Sequence, residues 1–170
     1  MASFLAAHGY DPGPTQRPLL TGAISGVLAT VPAILVLHLF GSLEVEARIL
    51  GTSIGATLAA GWLLMAVAGA VYARLFGRAA NNRSGGWLFG AAFGFAVWAA
   101  GAVLVLPLVS GGRAPAGEAA LGVFVSLVLW GAALGILVPF IHRPLHASLE
   151  EVSKRADVGP TAAAANGRRT

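Results

Sequence analysis

Four apolar stretches, each of the length that crosses a ~30 Å hydrocarbon core, dominate the chain, and none contains Asp, Glu or Lys. They run approximately from Leu19 to Phe40, Ser53 to Arg74, Gly86 to Val109 and Ala119 to Ile141. Arg74 closes the second stretch, where its long stem reaches back to the headgroups; an arginine held at mid-bilayer would cost ~2.5 to 3.5 kcal/mol. A soluble fold would have to bury four such stretches at once. The balance of 56% hydrophobic against 11% charged residues points to lipid as the solvent instead, since ordinary globular domains hold about 25% charged residues. The expected fold class is all-α, a polytopic membrane protein with four transmembrane helices.

The connections, roughly Gly41 to Thr52, Leu75 to Gly85 and Ser110 to Glu118, are short, so successive helices should be neighbours in an antiparallel four-helix bundle. Orientation follows from counting Lys and Arg by side. Arg17 in the N-terminal tail, Arg74, Arg78 and Arg83 around the second connection, and Arg143, Lys154, Arg155, Arg168 and Arg169 at the C-terminal end place nine on one side. Only Arg48 and Arg113 fall on the other, so both termini are expected in the cytoplasm, with the chain in an inner (cytoplasmic) membrane. Residues 1–18 form the N-terminal tail, which has no basic n-region before the first span and reads as retained rather than as a signal peptide. After the bundle of 19–141, residues 142–157 show Leu145, Leu149, Val152 and Ala156 at helical spacing among charges, the pattern of a helix lying on the membrane surface. Residues 158–170 offer no large apolar side chain to bury and are expected to be disordered.

In lipid, association of helices relies on close backbone approach at small residues. Gly22 and Gly26, Gly51 and Gly55, and Gly131 and Gly135 are each four apart, and the third stretch has Gly86, Gly90 and Gly94. These are the expected helix-packing positions. Their spacing also suggests a duplication: Gly22 and Gly26 map onto Gly86 and Gly90 with a shift of 64, and Gly69 onto Gly135 with a shift of 66, as for two tandem hairpins of like orientation. Pro32 lacks a backbone donor well inside the first helix and should kink it, with Thr30 as a polar partner. Trp87 and Tyr72, with Arg74, Arg78 and Arg143, fit an interfacial belt on the cytoplasmic side, whereas Trp62, Trp98 and Trp130 fall inside spans and should fill space beside the glycines.

Little in the chain specifies chemistry. There is no cysteine, which removes disulfides, thiolate metal sites and thiol catalysis. Glu44, Glu46 and Glu118 lie in the outer connections or at a helix start and read as solvated charges rather than as an intramembrane ion relay. Thr30, Ser53, Thr57 and Ser126 read as glue between helices. Of the histidines, His142 and His146 share a face near the inner surface without a carboxylate to complete a metal site, and His8 is in the tail; His38, near the outer end of the first helix, is the one candidate ligand for a pigment. The net charge of +4 sits in loops and tails rather than on an aromatic-interleaved face, so nucleic acid is not an expected partner.

The order Trp87, Gly90, Gly94, Trp98, Pro107, Gly111, then Trp130, Gly131 and Gly135 resembles small prokaryotic inner-membrane proteins of the YagU-like type, over about Gly55 to Phe140. Those proteins often carry a histidine just before the aromatic-Gly pair of the last helix, where this chain has Leu127 to Leu129. The resemblance implies a four-helix membrane fold and no settled activity. The expected function is a structural or accessory one without catalysis or a resident cofactor, packing against membrane lipids and other membrane subunits or a second copy. The alternatives are a small passive channel or carrier, and a pigment- or quinone-binding subunit of an energy-transducing complex.

Overall fold

The computed structural model describes residues 18–80 and 85–145. Among them every regular element is helical. Helix α1 (Pro18–Leu39) is followed by a short α2 (Ser42–Leu50), a long α3 (Ile54–Ala80), and α4 (Gly86–Trp98), which continues through a π-helical segment (Ala99–Val105) into α5 (Leu106–Val109); α6 (Gly117–Leu145) ends the described part. Four of these stretches, Pro18–Leu39, Ile54–Phe76, Gly86–Val109 and Gly117–Ile141, are long and apolar enough to cross a membrane. Each begins and ends within two residues of the boundaries expected from hydropathy, because the uncharged run itself sets them. The expected surface helix and disordered tail lie outside the described residues, apart from the end of α6.

Two features of the connections differ from expectation. Residues 41–52, read as a plain connection, contain α2. Leu43 and Ala47 are buried one turn apart, and Gly41 and Gly51 flank the helix at φ 61° and 66°, a left-handed conformation that glycine adopts without steric cost. At the C-terminal end the Thr52 amide donates to Ala47 O at 2.9 Å and the Gly51 amide to Arg48 O at 3.3 Å, the paired bonds of a Schellman cap. Ser53 then starts α3, its Oγ accepting from the Ala56 amide at 3.2 Å. The third span also does not stay α-helical. Pro107 lacks the amide that would bond Val103 O, and its ring crowds that carbonyl; the ladder just upstream widens so that the Leu106 amide donates to Gly101 O, five residues back. In α1, by contrast, helical structure continues through Pro32 without interruption.

Glycines set the packing in one half of the fold. A Cβ at Gly22 would collide with Gly69 O and one at Gly26 with Met65 O, so α1 and α3 cross backbone to backbone. A Cβ at Gly135 would likewise collide with Gly86 O, one at Gly90 with Gly131 O and one at Gly94 with Leu127 O, so α4 and α6 do the same. In each pair, numbering rises along one helix as it falls along the other. The two crossings correspond: the shifts of 64 and 66 carry the Gly22·Gly69 contact onto Gly86·Gly135, and Gly26·Met65 onto Gly90·Gly131. The spacing that suggested a duplication is therefore the spacing of two equivalent helix contacts. Tyr72, fully buried, and Trp130, also fully buried, lie between the pairs. Their rings form a ladder with Phe93, at 5.1 Å from Tyr72 and 6.2 Å from Trp130.

Toward the far ends of the same helices glycine no longer meets the backbone of a facing helix; Gly122 in α6 faces the side chains of Phe40 and Ser42 instead. Gly55 and Gly61 in α3 and Gly101 in the π-helical segment have nothing within 4 Å of where a Cβ would stand. The third span as a whole is also the least enclosed, with 6% of its most apolar 18 residues buried against 44% for the fourth. The result is a bundle closed at one end and splayed at the other.

Candidate functional site

The splay leaves a cavity of 310 Å³ reached by α1, α2, α3, α4, the π-helical segment, α5 and α6. Its walls are aliphatic apart from a few groups: Thr30 from α1, Glu46 from α2, Thr57 and Trp62 from α3, Ser126 and Trp130 from α6. Gly61 in α3 and Gly101 in the π-helical segment contribute bare backbone to its wall. The site thus depends on two sequence devices, the absence of side chains at those glycines and the π-helical widening caused upstream of Pro107.

Helix α2 brings Glu46 to the cavity. Leu43, Glu46 and Leu50 follow one another at helical spacing, and all three line it. The N-terminal end of α2 is tied down, Ser42 Oγ donating to Ala119 O at 3.0 Å. Glu46 was expected to be a solvated loop charge; instead it is partly buried, because its loop is a helix with one face turned to the bundle. Burial pushes its carboxyl above the usual glutamate range of about 4.5. Neighbouring charges do not offset this. Glu44 leans toward His38, Oε1 to Nδ1 at 4.0 Å, and Arg48, two residues along α2, is exposed on the other side of the helix.

A consequence for stability follows. Below the unfolded-state value both states hold the proton and nothing is lost. As pH rises from there to the raised folded-state value, the unfolded chain ionises first and the fold loses stability. Glu46→Gln is therefore expected to melt at a higher temperature than wild type at pH 7 and at an equal one near pH 4. A variant that melts lower at pH 7 would show that the carboxylate is compensated.

The hydroxyls expected to glue helices together mostly bond within their own helices. Thr30 Oγ1 donates to Gly26 O at 2.8 Å, Thr57 Oγ1 to Ser53 O at 3.1 Å and Ser126 Oγ to Val123 O at 2.9 Å; the nearest acceptor in an apolar setting is the preceding turn. Polar contacts between helices come from elsewhere. Trp130 Nε1 donates to Gly26 O at 2.9 Å, the Ser42 bond joins α2 to α6, and Tyr72 OH makes a long approach of 3.4 Å to Gly86 O.

The expected site residues fall into distinct places. Gly22, Gly26, Gly86, Gly90, Gly94, Gly131 and Gly135 all sit at helix crossings. Gly51 and Gly55 touch nothing, since Gly51 caps α2 outside any span and Gly55 lies on the outer side of the first turn of α3. Trp87 is half exposed, as an interfacial residue would be, but Tyr72 is at 0% because its ring turns into the bundle, one turn before Phe76. Arg74 is exposed; Arg78 and Arg143 are placed in α3 and α6, and their side chains are outside the description. His38 is 73% exposed and does not line the cavity, so it brings no ligand to it. Among the described residues no three His, Asp or Glu come together as metal ligands would. Hydropathy reading missed Glu46 and the cavity; the available signal was the amphipathic spacing of Leu43, Ala47 and Leu50 between two glycines.

Comparison with protein-family models, curated proteins and solved structures gave no match. These comparisons neither support nor overturn the YagU-like resemblance.

Proposed function

We propose that this chain is a non-enzymatic, multi-pass membrane protein that takes an apolar molecule from the bilayer into the cavity at the splayed end of its bundle, as a binding protein of the carrier type. The observation that carries this reading is the cavity itself. It has the size of small-molecule sites, ~300 to 1,000 Å³, its walls are almost wholly aliphatic, and it lies among helices fit to cross a membrane. The accessory-subunit reading draws less support, since seven of the nine glycines expected to mediate packing are already engaged within the chain.

The proposed setting is an antiparallel bundle in an inner (cytoplasmic) membrane with both termini in the cytoplasm, supported by the short connections and by nine Lys and Arg against two. The cavity and α2 then open toward the outer surface. Since the chain has no cysteine, single cysteines report topology directly. A membrane-impermeant maleimide should label Arg113→Cys in intact cells and Asn82→Cys only after lysis; the reverse pattern would invert the orientation.

Binding is tested with dodecanol and purified protein in phosphatidylcholine nanodiscs. Saturable uptake above that of protein-free nanodiscs is expected for wild type, and its loss for Gly61→Leu, whose side chain would enter open space in the cavity wall. Absence of saturable uptake by wild type, or equal uptake by the variant, would remove the proposal.

A further inference from the structure

The hydroxyl donors on the cavity wall and the Trp130 N–H are already engaged within the protein. Thr30 and Ser126 give their protons to carbonyls of their own helices, Thr57 Oγ1 is engaged with Ser53 O and Thr52 Oγ1, and Trp130 gives its N–H to Gly26 O. A ligand bearing only acceptors, such as a carbonyl, or bearing negative charge would find no free donor among them. Glu46 is different. It is the one ionisable residue lining the cavity among those described, it makes no ion pair among them, and it is partly buried. An uncompensated carboxylate next to aliphatic walls is costly, and a cation placed against it removes that cost.

We propose that the occupant of the cavity is a lipophilic monocation, an apolar body carrying one amine or quaternary ammonium group, seated with its charge at Glu46 and its body among the aliphatic side chains leading to Trp130. This rests on the reading of the cavity as a binding site and adds the chemistry of what it takes. Charge complementarity argues for the head and the aliphatic wall for the body; the raised pKa of Glu46 is what an unfilled carboxylate site of this kind would show. The other charges near α2 do not compete for the same place, since Glu44 is turned to His38 and Arg48 is exposed.

The test compares dodecyltrimethylammonium with dodecanol, which share a tail, in nanodiscs of digalactosyldiacylglycerol, a lipid with neither an amine nor a quaternary ammonium group. Wild type should bind the cation about tenfold more tightly or better, the effect of a charge-assisted contact. In Glu46→Gln this preference should vanish, the two probes then binding alike. A second measurement needs no variant: the quaternary ammonium keeps its charge at any pH, so the wild-type preference should fall toward unity as acid protonates Glu46. A preference that survives in Glu46→Gln, or that ignores acid, overturns the proposal while leaving the cavity reading intact. If dodecanol itself fails to bind wild type, the cavity reading falls and this inference with it. Competition by phosphatidylethanolamine would assign the site to a lipid headgroup and overturn the choice of a free lipophilic cation.

Discussion

Gly131→Leu should lower the thermal midpoint of the purified protein by on the order of 10 °C, a loss of about 3 kcal/mol or more. The reason is that Gly131 faces backbone. A Cβ there would overlap Gly90 O and crowd the backbone of Gly94, and a carbonyl cannot swing aside as a side chain can. The two helices would have to separate along the crossing, undoing the Gly135 and Gly94 contacts on either side. Gly69→Leu, at the equivalent crossing of α1 and α3, should cost a similar amount, since its Cβ would overlap Gly22 O. Gly55→Leu is the control. Nothing lies within 4 Å of that position, so its midpoint should stay close to wild type. Retention of the monodisperse peak on size exclusion after heating reads all three; a Gly131→Leu protein that melts with Gly55→Leu would mean that the glycine crossings are not what closes this half of the bundle.

Trp130→Ala is the second large effect, expected at about 3 to 5 kcal/mol. The indole is fully buried, packs 6.2 Å from Phe93 centroid to centroid, and joins the two hairpins through its hydrogen bond to Gly26 O. Removing it takes away both the packing and an indole bond across the hairpins, and it extends the cavity that Trp130 helps to line. Trp130→Phe separates the two losses: it keeps a ring against Phe93 and gives up only the N–H donor, for about 1 kcal/mol. The ordering wild type, Phe, Ala should appear in thermal midpoints, and the Ala variant should gain affinity for tetradecanol relative to dodecanol as its cavity lengthens. An alanine variant within about 1 kcal/mol of wild type would show that the bundle closes over the gap.

The proposed binding role and the stability of the fold draw on opposite ends of the same helices. Where glycine meets glycine, backbones touch and little room is left. Where glycine meets nothing, at Gly61 and Gly101, the helices stand apart. A chain that used small residues along the whole length of each helix would be a tighter bundle with no site.

Much of this was legible from residues alone, and for a clear reason. Lipid tolerates no charge and no unpaired backbone, so the four uncharged runs fixed the number, the type and nearly the ends of the long helices. The close approach of helices in lipid requires small residues, so glycines four apart marked the crossings, and their shifts of 64 and 66 related the two equivalent crossings to one another. Partnering was not contained in those patterns. Hydropathy says that Tyr72 is near a helix end, but the turn of α3 toward Phe93 decides that it is buried. Spacing shows hydroxyls inside spans, but the nearness of their own preceding turns decides that Thr30 and Ser126 bond within a helix. The i, i+4 rule treats Gly51 and Gly55 like the other pairs, although no helix passes near them. Glu46 shows the limit most clearly: its charge put it outside the bilayer by sequence, and only the folding of α2 over the splayed helices turned it toward a cavity that exists nowhere in the linear order. Local chemistry settles what each segment is, because solvent acts on segments; which side chains end up facing one another depends on how rigid helices cross, and that is a property of the assembled bundle.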